Sequence, residues 1–166
     1  MRTRPSNGTG RPSAAPPTRD QDEPTLVTDV SEQLPYAFEG AVRERLGAGD
    51  YSVAGLQDRV AIERKTRADA YRSLGCARGR FERELERLAG YDYAAIVVEC
   101  SLEDFLKPPP FSELPAKRAI TMLLGMSVQY GIAVFFAGDR QHGEAVTRTL
   151  LDKFAWCHRR GRLCRG

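Results

Sequence analysis

The sequence predicts an α/β fold, a mixed central sheet flanked by helices within a single domain. Three observations carry that prediction. Short strand-like runs give way to segments of helical periodicity and then alternate with them, from Thr25 to His158. Two of the runs, Tyr93 to Val98 and Ile132 to Phe136, are apolar almost throughout, as strands buried on both faces are. And 166 residues with 42% hydrophobic content suffice for one ordinary core.

The elements follow in order. Residues 1–23 hold Pro5, Pro12, Pro16 and Pro17 among Ser, Thr, Gly and Arg without apolar periodicity, and are expected to form a disordered arm. The folded part is expected over 24–158, with a basic tail at 159–166. Thr25 to Val30 is the first strand, Glu32 to Pro35 a loop, and Ala41 to Leu46 a second strand. Gly47-Ala48-Gly49 reads as a tight turn. Tyr51 to Leu56 and Arg59 to Lys65 follow as strands of a hairpin or meander. Thr66 to Leu74 is a short helix. Phe81, Leu85 and Leu88 mark the apolar stripe of another, about Arg80 to Ala89, on which Arg80 and Glu84 are spaced to pair. After the buried run ending at Val98 come a Pro-rich corner at Pro108 to Pro110 and a helix from Leu114 to Tyr130. The second buried strand follows, and a last helix runs from Asp139 to about His158.

Composition excludes several classes. No stretch reaches the 18 or so uncharged apolar residues of a membrane-spanning helix, and the N-terminus has no apolar signal core. A cytoplasmic location is therefore expected. The net charge of +3 is too small to demand a nucleic-acid partner. Arg159, Arg160, Arg162 and Arg165 nonetheless leave the tail purely basic, as a solvated tail or a phosphate-binding one. Cys76, Cys100, Cys157 and Cys164 show no two-residue spacing, so a zinc site is not expected, although Cys157-His158 with Cys164 offers donors. Cys100, after an apolar run, reads as a small core residue. Only four of the 25 basic residues are lysines, and Lys65 is the only one before Lys107.

The chemistry concentrates at Gly49-Asp50-Tyr51 and Ile62-Glu63-Arg64-Lys65-Thr66-Arg67-Ala68-Asp69. Residues two apart on a strand share a face, so Glu63 and Lys65 emerge together and Arg64 opposes them. A strand-end ion pair explains them, and it would be worth little if exposed. A metal-dependent phosphodiesterase site also explains them. Asp50 and Glu63 would supply the carboxylate oxygens that Mg²⁺ or Mn²⁺ prefers, and Lys65 would orient the attacking water and offset transition-state charge.

Taken together, Asp29-Val30-Ser31-Glu32-Gln33, Gly49-Asp50-Tyr51 and Glu63-Arg64-Lys65 with Asp69 resemble the XPF-type endonuclease domain of the PD-(D/E)XK, restriction-endonuclease-like superfamily. The resemblance continues through Ser73, Gly79-Arg80-Phe81, the strand ending Val98-Glu99, and Tyr130-Gly131 to Gly138-Asp139-Arg140. It implies Asp50 and Glu63 as metal ligands, Lys65 as the catalytic lysine, and Asp69 as a catalytic carboxylate. It also places Asp29 and Glu32 along the same cleft as possible ligands, with the Arg64 backbone carbonyl. Arg64, Ser73 and Arg80 are implied as DNA contacts.

Ser31 departs from the family pattern, where an arginine is expected. The helix-hairpin-helix domain that usually follows is not present through Gly166, so Arg159, Arg160 and Arg162 are expected to add sequence-independent grip. The resemblance thus implies a Mg²⁺- or Mn²⁺-dependent DNA endonuclease acting on branched, flap or junction DNA in repair or recombination. Its products would carry 5′-phosphate and 3′-hydroxyl ends, and it would associate with the nucleoid when acting. The alternative is a non-catalytic DNA-binding or scaffold subunit of a nuclease complex. The apolar surplus of the last helix (Val146, Leu150, Leu151, Phe154, Trp156) reads either as a homodimer or partner-subunit interface or as a core containing Trp156.

Overall fold

Alternating side chains along two central strands divide the core into two layers, and that division positions everything else. The computed structural model describes residues 23–110 and 112–162; the expected arm up to residue 22 and residues 163–166 of the tail lie outside the described residues. The elements are β1 (Leu26–Asp29), β2 (Val42–Glu44), β3 (Tyr51–Val53), β4 (Val60–Lys65), α1 (Arg67–Leu74), α2 (Arg78–Leu88), β5 (Tyr93–Val98), α3 (Leu102–Phe105), α4 (Ala116–Tyr130), β6 (Ala133–Phe136) and α5 (Arg140–Arg159). The strands form one mixed six-stranded sheet in the order β2-β1-β3-β4-β5-β6. β1 pairs antiparallel with β3, and β3 with β4, while β1–β2, β4–β5 and β5–β6 are parallel.

On β4 and β5, Ala61, Ala94, Ile96 and Val98 face a cluster built with Tyr71, Leu74, Phe81, Leu85, Leu88 and Leu123 of α1, α2 and α4. Val60, Ile62, Ala95 and Val97 face the opposite cluster, with Leu151 and Phe154 of α5. Helices therefore cover both faces, as parallel pairing with helical crossovers requires. The stripe expected at Phe81, Leu85 and Leu88 is fully buried. Cys100 is likewise a buried core residue.

Capping sets the helix starts. Thr66 Oγ1 accepts from the Asp69 amide at 3.1 Å, and Asp139 caps α5 through the His142 amide at 2.8 Å. Gly131, at φ 68°, ends α4 in the left-handed conformation.

Four expectations need correction. β6 is half-buried along its length rather than fully buried, because it is the outermost strand of the sheet. Arg80 does not pair with Glu84: the α2 pairs are Arg78–Glu82 and Glu84–Arg87, and the Glu84 carboxylate also accepts the Gly49 amide at 3.0 Å. The Pro-rich corner is preceded by α3, a single turn capped by Ser101 and too short to show periodicity in the sequence. Trp156 is half-buried, with Lys153, Arg160 and Arg162 around its ring at 5.4, 4.3 and 5.6 Å, so it is not a core residue.

A candidate phosphodiesterase cleft

The cleft starts from a glycine that no other residue replaces freely. Gly49 sits at φ 74°, and a Cβ there would lie 3.1 Å from Ala61 Cβ and 3.2 Å from the Ile62 carbonyl oxygen. This close approach seats Asp50 between two strands. Its amide donates to the Ile62 carbonyl at 2.9 Å, and its carbonyl accepts from the Asp29 amide at 2.8 Å. The Asp50 side chain then accepts from the Arg64 amide at 2.7 Å.

β4 delivers the rest. Glu63 and Lys65 continue the face of Ala61, and Lys65 Nζ donates to Glu63 Oε1 at 2.9 Å. The ammonium lies 4.7 Å from the centroid of the Phe81 ring, and Lys65 is only 8% exposed. A buried cation with one carboxylate and an aromatic face is held rather than solvated.

Asp50 and Glu63 line one cleft with Lys65, Ser73 and Arg80. Burial, then the charge of Glu63, pushes the Asp50 carboxyl up to about 8; the Arg64 amide opposes the shift, Glu32 adds to it and Lys65 opposes it. Burial also pushes Glu63 up, against the pull of Lys65, with Glu84 and Glu32 adding repulsion. Two half-buried carboxylates side by side against their own charge are a donor set that suits a divalent cation. Mg²⁺ commonly takes only one or two protein carboxylates and keeps several waters. Among the described residues no group of three or more His, Cys, Asp or Glu side chains has metal-holding geometry.

The other residues singled out in the sequence are distributed differently. Asp69 lines the cleft, but its Oδ2 accepts from Thr66 Oγ1 at 2.7 Å and its Oδ1 lies 3.4 Å from Arg72. Asp29 accepts from the Ser31 amide at 2.8 Å, from the Ser31 hydroxyl, and from the Leu46 amide at 2.6 Å. Burial raises its carboxyl, but the Ser31 and Leu46 hydrogen bonds and the nearby Arg45 hold it below the usual carboxylate value. Ser31, where an arginine was expected, thus serves to fasten Asp29.

Glu32 reaches the cleft from the β1–β2 loop and accepts from the Leu34 amide at 2.8 Å. Arg64 lies at the cleft margin with its guanidinium tied up, forked onto Glu99 at 2.7 and 2.8 Å and 3.5 Å from Glu32, with Tyr36 beneath at 5.7 Å. Burial alone would lower the Arg64 pKa, but the Glu99 hydrogen bonds and charge raise it further. Arg159, Arg160 and Arg162 are exposed at the C-terminal end of α5. That helix begins at Arg140, beside Glu99, and its 20 residues put the tail about 30 Å from there. Cys157 is half-buried, and His158 stacks on Phe154 with ring centroids 6.3 Å apart; Cys164 lies outside the described residues.

Sequence reasoning missed Arg45, Glu84 and Arg87, which complete the cleft wall. It also passed over Glu99, whose side chain is 6% exposed and takes both Arg64 and Arg140. Arg45 lies in the irregular run just before Gly49, the other partners lie 15 to 30 residues beyond Asp69, and none leaves a periodic trace. The Arg-Glu alternation of α2 was the one available signal, and it reads equally as a solvated face.

The family model that describes the ERCC4 domain matches residues 31–150. Among solved structures, XPF from Aeropyrum pernix is similar with a TM-score of 0.63 and 24% identity, over 77% of this chain and 63% of that one. XPF from Aeropyrum pernix in complex with DNA gives a TM-score of 0.61 and 25% identity, over 80% of this chain and 65% of that one. The chain therefore spans somewhat under two thirds of the length of those chains. No curated protein sequence matches it significantly. The fold is that of an XPF-type nuclease domain, and with its family model matched from residue 31 to residue 150 the chain belongs to the ERCC4 domain family.

Proposed function

We propose that the chain is a Mg²⁺- or Mn²⁺-dependent DNA endonuclease that hydrolyses phosphodiester bonds in branched or flap DNA, in repair or recombination. The observation that carries this reading is the placement of Asp50, Glu63 and Lys65 in one cleft, two charge-strained carboxylates beside a buried ammonium. Asp50 and Glu63 are the residues that would hold the cation. It would polarise a phosphoryl oxygen and lower the pKa of a bound water.

The chain's own groups do the remaining work. The Arg64 amide fixes the Asp50 carboxylate, and Glu63 fixes the Lys65 ammonium. Lys65 has three donors, of which Glu63 takes one. The others are free to orient a water or to meet developing phosphate charge in a site where solvent screens poorly. Arg45, Arg80 and Arg87 on the cleft wall attract the DNA backbone. Ser73, buried beside the same cleft, adds a hydroxyl.

A second reading, a non-catalytic DNA-binding subunit, draws on one observation. The carboxylates of Asp29, Asp69, Glu32 and Glu84 are engaged by Ser31 and Leu46, Thr66 and Arg72, the Leu34 amide, and the Gly49 amide with Arg87, which leaves Asp50 and Glu63 as the cleft carboxylates available to a cation. End-labelled flap, splayed-arm, four-way, duplex and single-stranded DNA, each with Mg²⁺, Mn²⁺ or chelator, separate the readings. Metal-dependent cutting that Glu63→Ala lacks is the expected result. Salt-sensitive binding without cutting by either protein would favour the subunit.

A further inference from the structure

On the flank of α1 away from the carboxylates, a groove of about 690 Å³ runs between α1, the turn into α2 and the start of α4. The phosphodiesterase chemistry makes no use of it. Leu114 and Met122, both half-buried, give its floor apolar surface, and three exposed guanidiniums, Arg72, Arg78 and Arg118, line its rim. Glu113 is the one carboxylate among the described residues that line it. Arg72 and Arg78 hold Asp69 and Glu82 on their own helices at 3.4 and 2.8 Å. Exposed pairs of that kind contribute little, so a phosphate can claim the same guanidiniums at small cost. Arg72 belongs to both sites: it lines the groove and, with Asp69 and Ser73, the cleft beside Glu63.

We infer that this groove binds a single-stranded DNA segment continuous with the strand held at Asp50 and Glu63, an inference that rests on the function proposed above. Three guanidiniums against one carboxylate select an anionic occupant. The shared Arg72 makes that occupant the strand already lying in the cleft, rather than an acidic peptide arriving separately. The apolar floor selects unpaired bases. A duplex turns its base faces inward and presents only backbone and groove edges, whereas a single strand has faces to lay on an apolar or guanidinium surface.

Cys76 provides the probe, because it is an exposed free thiol on the groove wall. Maleimide labelling of Cys76 in the full chain, read by peptide mass, is compared with no DNA, with oligothymidine and with a blunt duplex of equal length. Cys157, half-buried on α5, is the internal reference. Oligothymidine is expected to slow Cys76 labelling severalfold and the duplex to leave it unchanged. In parallel, Arg78→Ala/Arg118→Ala removes two surface charges, and the slope of log affinity for oligothymidine against log salt is expected to fall by about 1.4. Equal protection by duplex, an unprotected Cys76 when oligothymidine is bound, or an unchanged salt slope would each overturn the inference. If wild-type protein cuts flap DNA while Cys76 stays unprotected, the groove assignment fails alone. If it neither binds nor cuts any DNA, the proposed function fails and the groove assignment with it.

Discussion

Consecutive residues at the end of β4 carry charge to opposite faces of the sheet, and the two faces handle it differently. On the side continuing from Ala61, Glu63 stands beside Asp50 with both carboxyls driven up by burial, and Lys65 compensates only in part. On the side continuing from Ile62, Arg64 is closed by a two-pronged Glu99, and Arg140 lies 3.4 Å from the same carboxylate. One side keeps two crowded carboxyls facing a cleft; the other cancels its charge inside the fold. Functional strain and structural support are thus separated by a single residue step, because strand side chains alternate. The Arg64 backbone joins them, since its amide fixes Asp50 while its guanidinium is anchored at Glu99.

The largest expected effect falls on the strained side. Asp50→Ala or Glu63→Ala should lower the single-turnover cleavage rate by about a thousandfold or more, with DNA affinity nearly kept, because the proposed cation would be lost and it would be worth several kcal/mol in the transition state. Lys65→Arg should be severely impaired too, since a planar guanidinium cannot take the place of a compact ammonium between Glu63 and Phe81. Wild-type rates in any of these would remove the corresponding assignment.

The compensated side should answer in stability. Glu99→Gln leaves the largely covered Arg64 guanidinium with only the Glu32 carboxylate, 3.5 Å away, and breaking a buried pair costs about 3–5 kcal/mol, or about 10 °C in unfolding midpoint for a chain of this size. Gly143→Ala attacks the same face by packing. A Cβ there would lie 2.5 Å from Tyr36 Oη and 3.4 Å from Glu99 Cγ, and such crowding costs about 1–3 kcal/mol. An unchanged midpoint in either variant would show that this face bears no load.

A pH series sharpens the contrast. Asp50 titrates higher in the folded chain than its unfolded value of 3.8, up to about 8, so the stability tied to its protonated form is full below that lower value. In chelator, that contribution should be lost as pH rises between about 4 and 8, and Asp50→Asn should flatten the curve. A midpoint independent of pH in that window would mean the carboxylate is not strained.

Much of the strained side was legible in the sequence, because its residues are local. Strand alternation put Glu63 and Lys65 together, and the glycine before Asp50 marked the turn that seats it. The engagement of Asp69 by the Thr66 cap was also within reach, as Thr66 stands three residues before it. The compensated side was not legible, since Glu99 lies 35 residues beyond Arg64 and only strand pairing brings them together. Arg80 shows the same limit in reverse. Its spacing to Glu84 promised a helix pair, but the Gly49 amide and Arg87 claim that carboxylate. The groove beyond α1 depends on α4 and had no sequence signature at all.

The division of labour across β4 is tested most directly by measuring single-turnover cleavage and thermal unfolding on Glu63→Gln and Glu99→Gln side by side. For Glu63→Gln, cleavage should be lost while the midpoint falls less than for Glu99→Gln, since relief of repulsion from Glu84 and Glu32 offsets the loss of the Lys65 partner. For Glu99→Gln, the midpoint should fall by about 10 °C, while cleavage well below that temperature stays within about a hundredfold of wild type, as for a support outside the reacting groups. Wild-type cleavage by Glu63→Gln, or an unshifted midpoint for Glu99→Gln, would contradict the account.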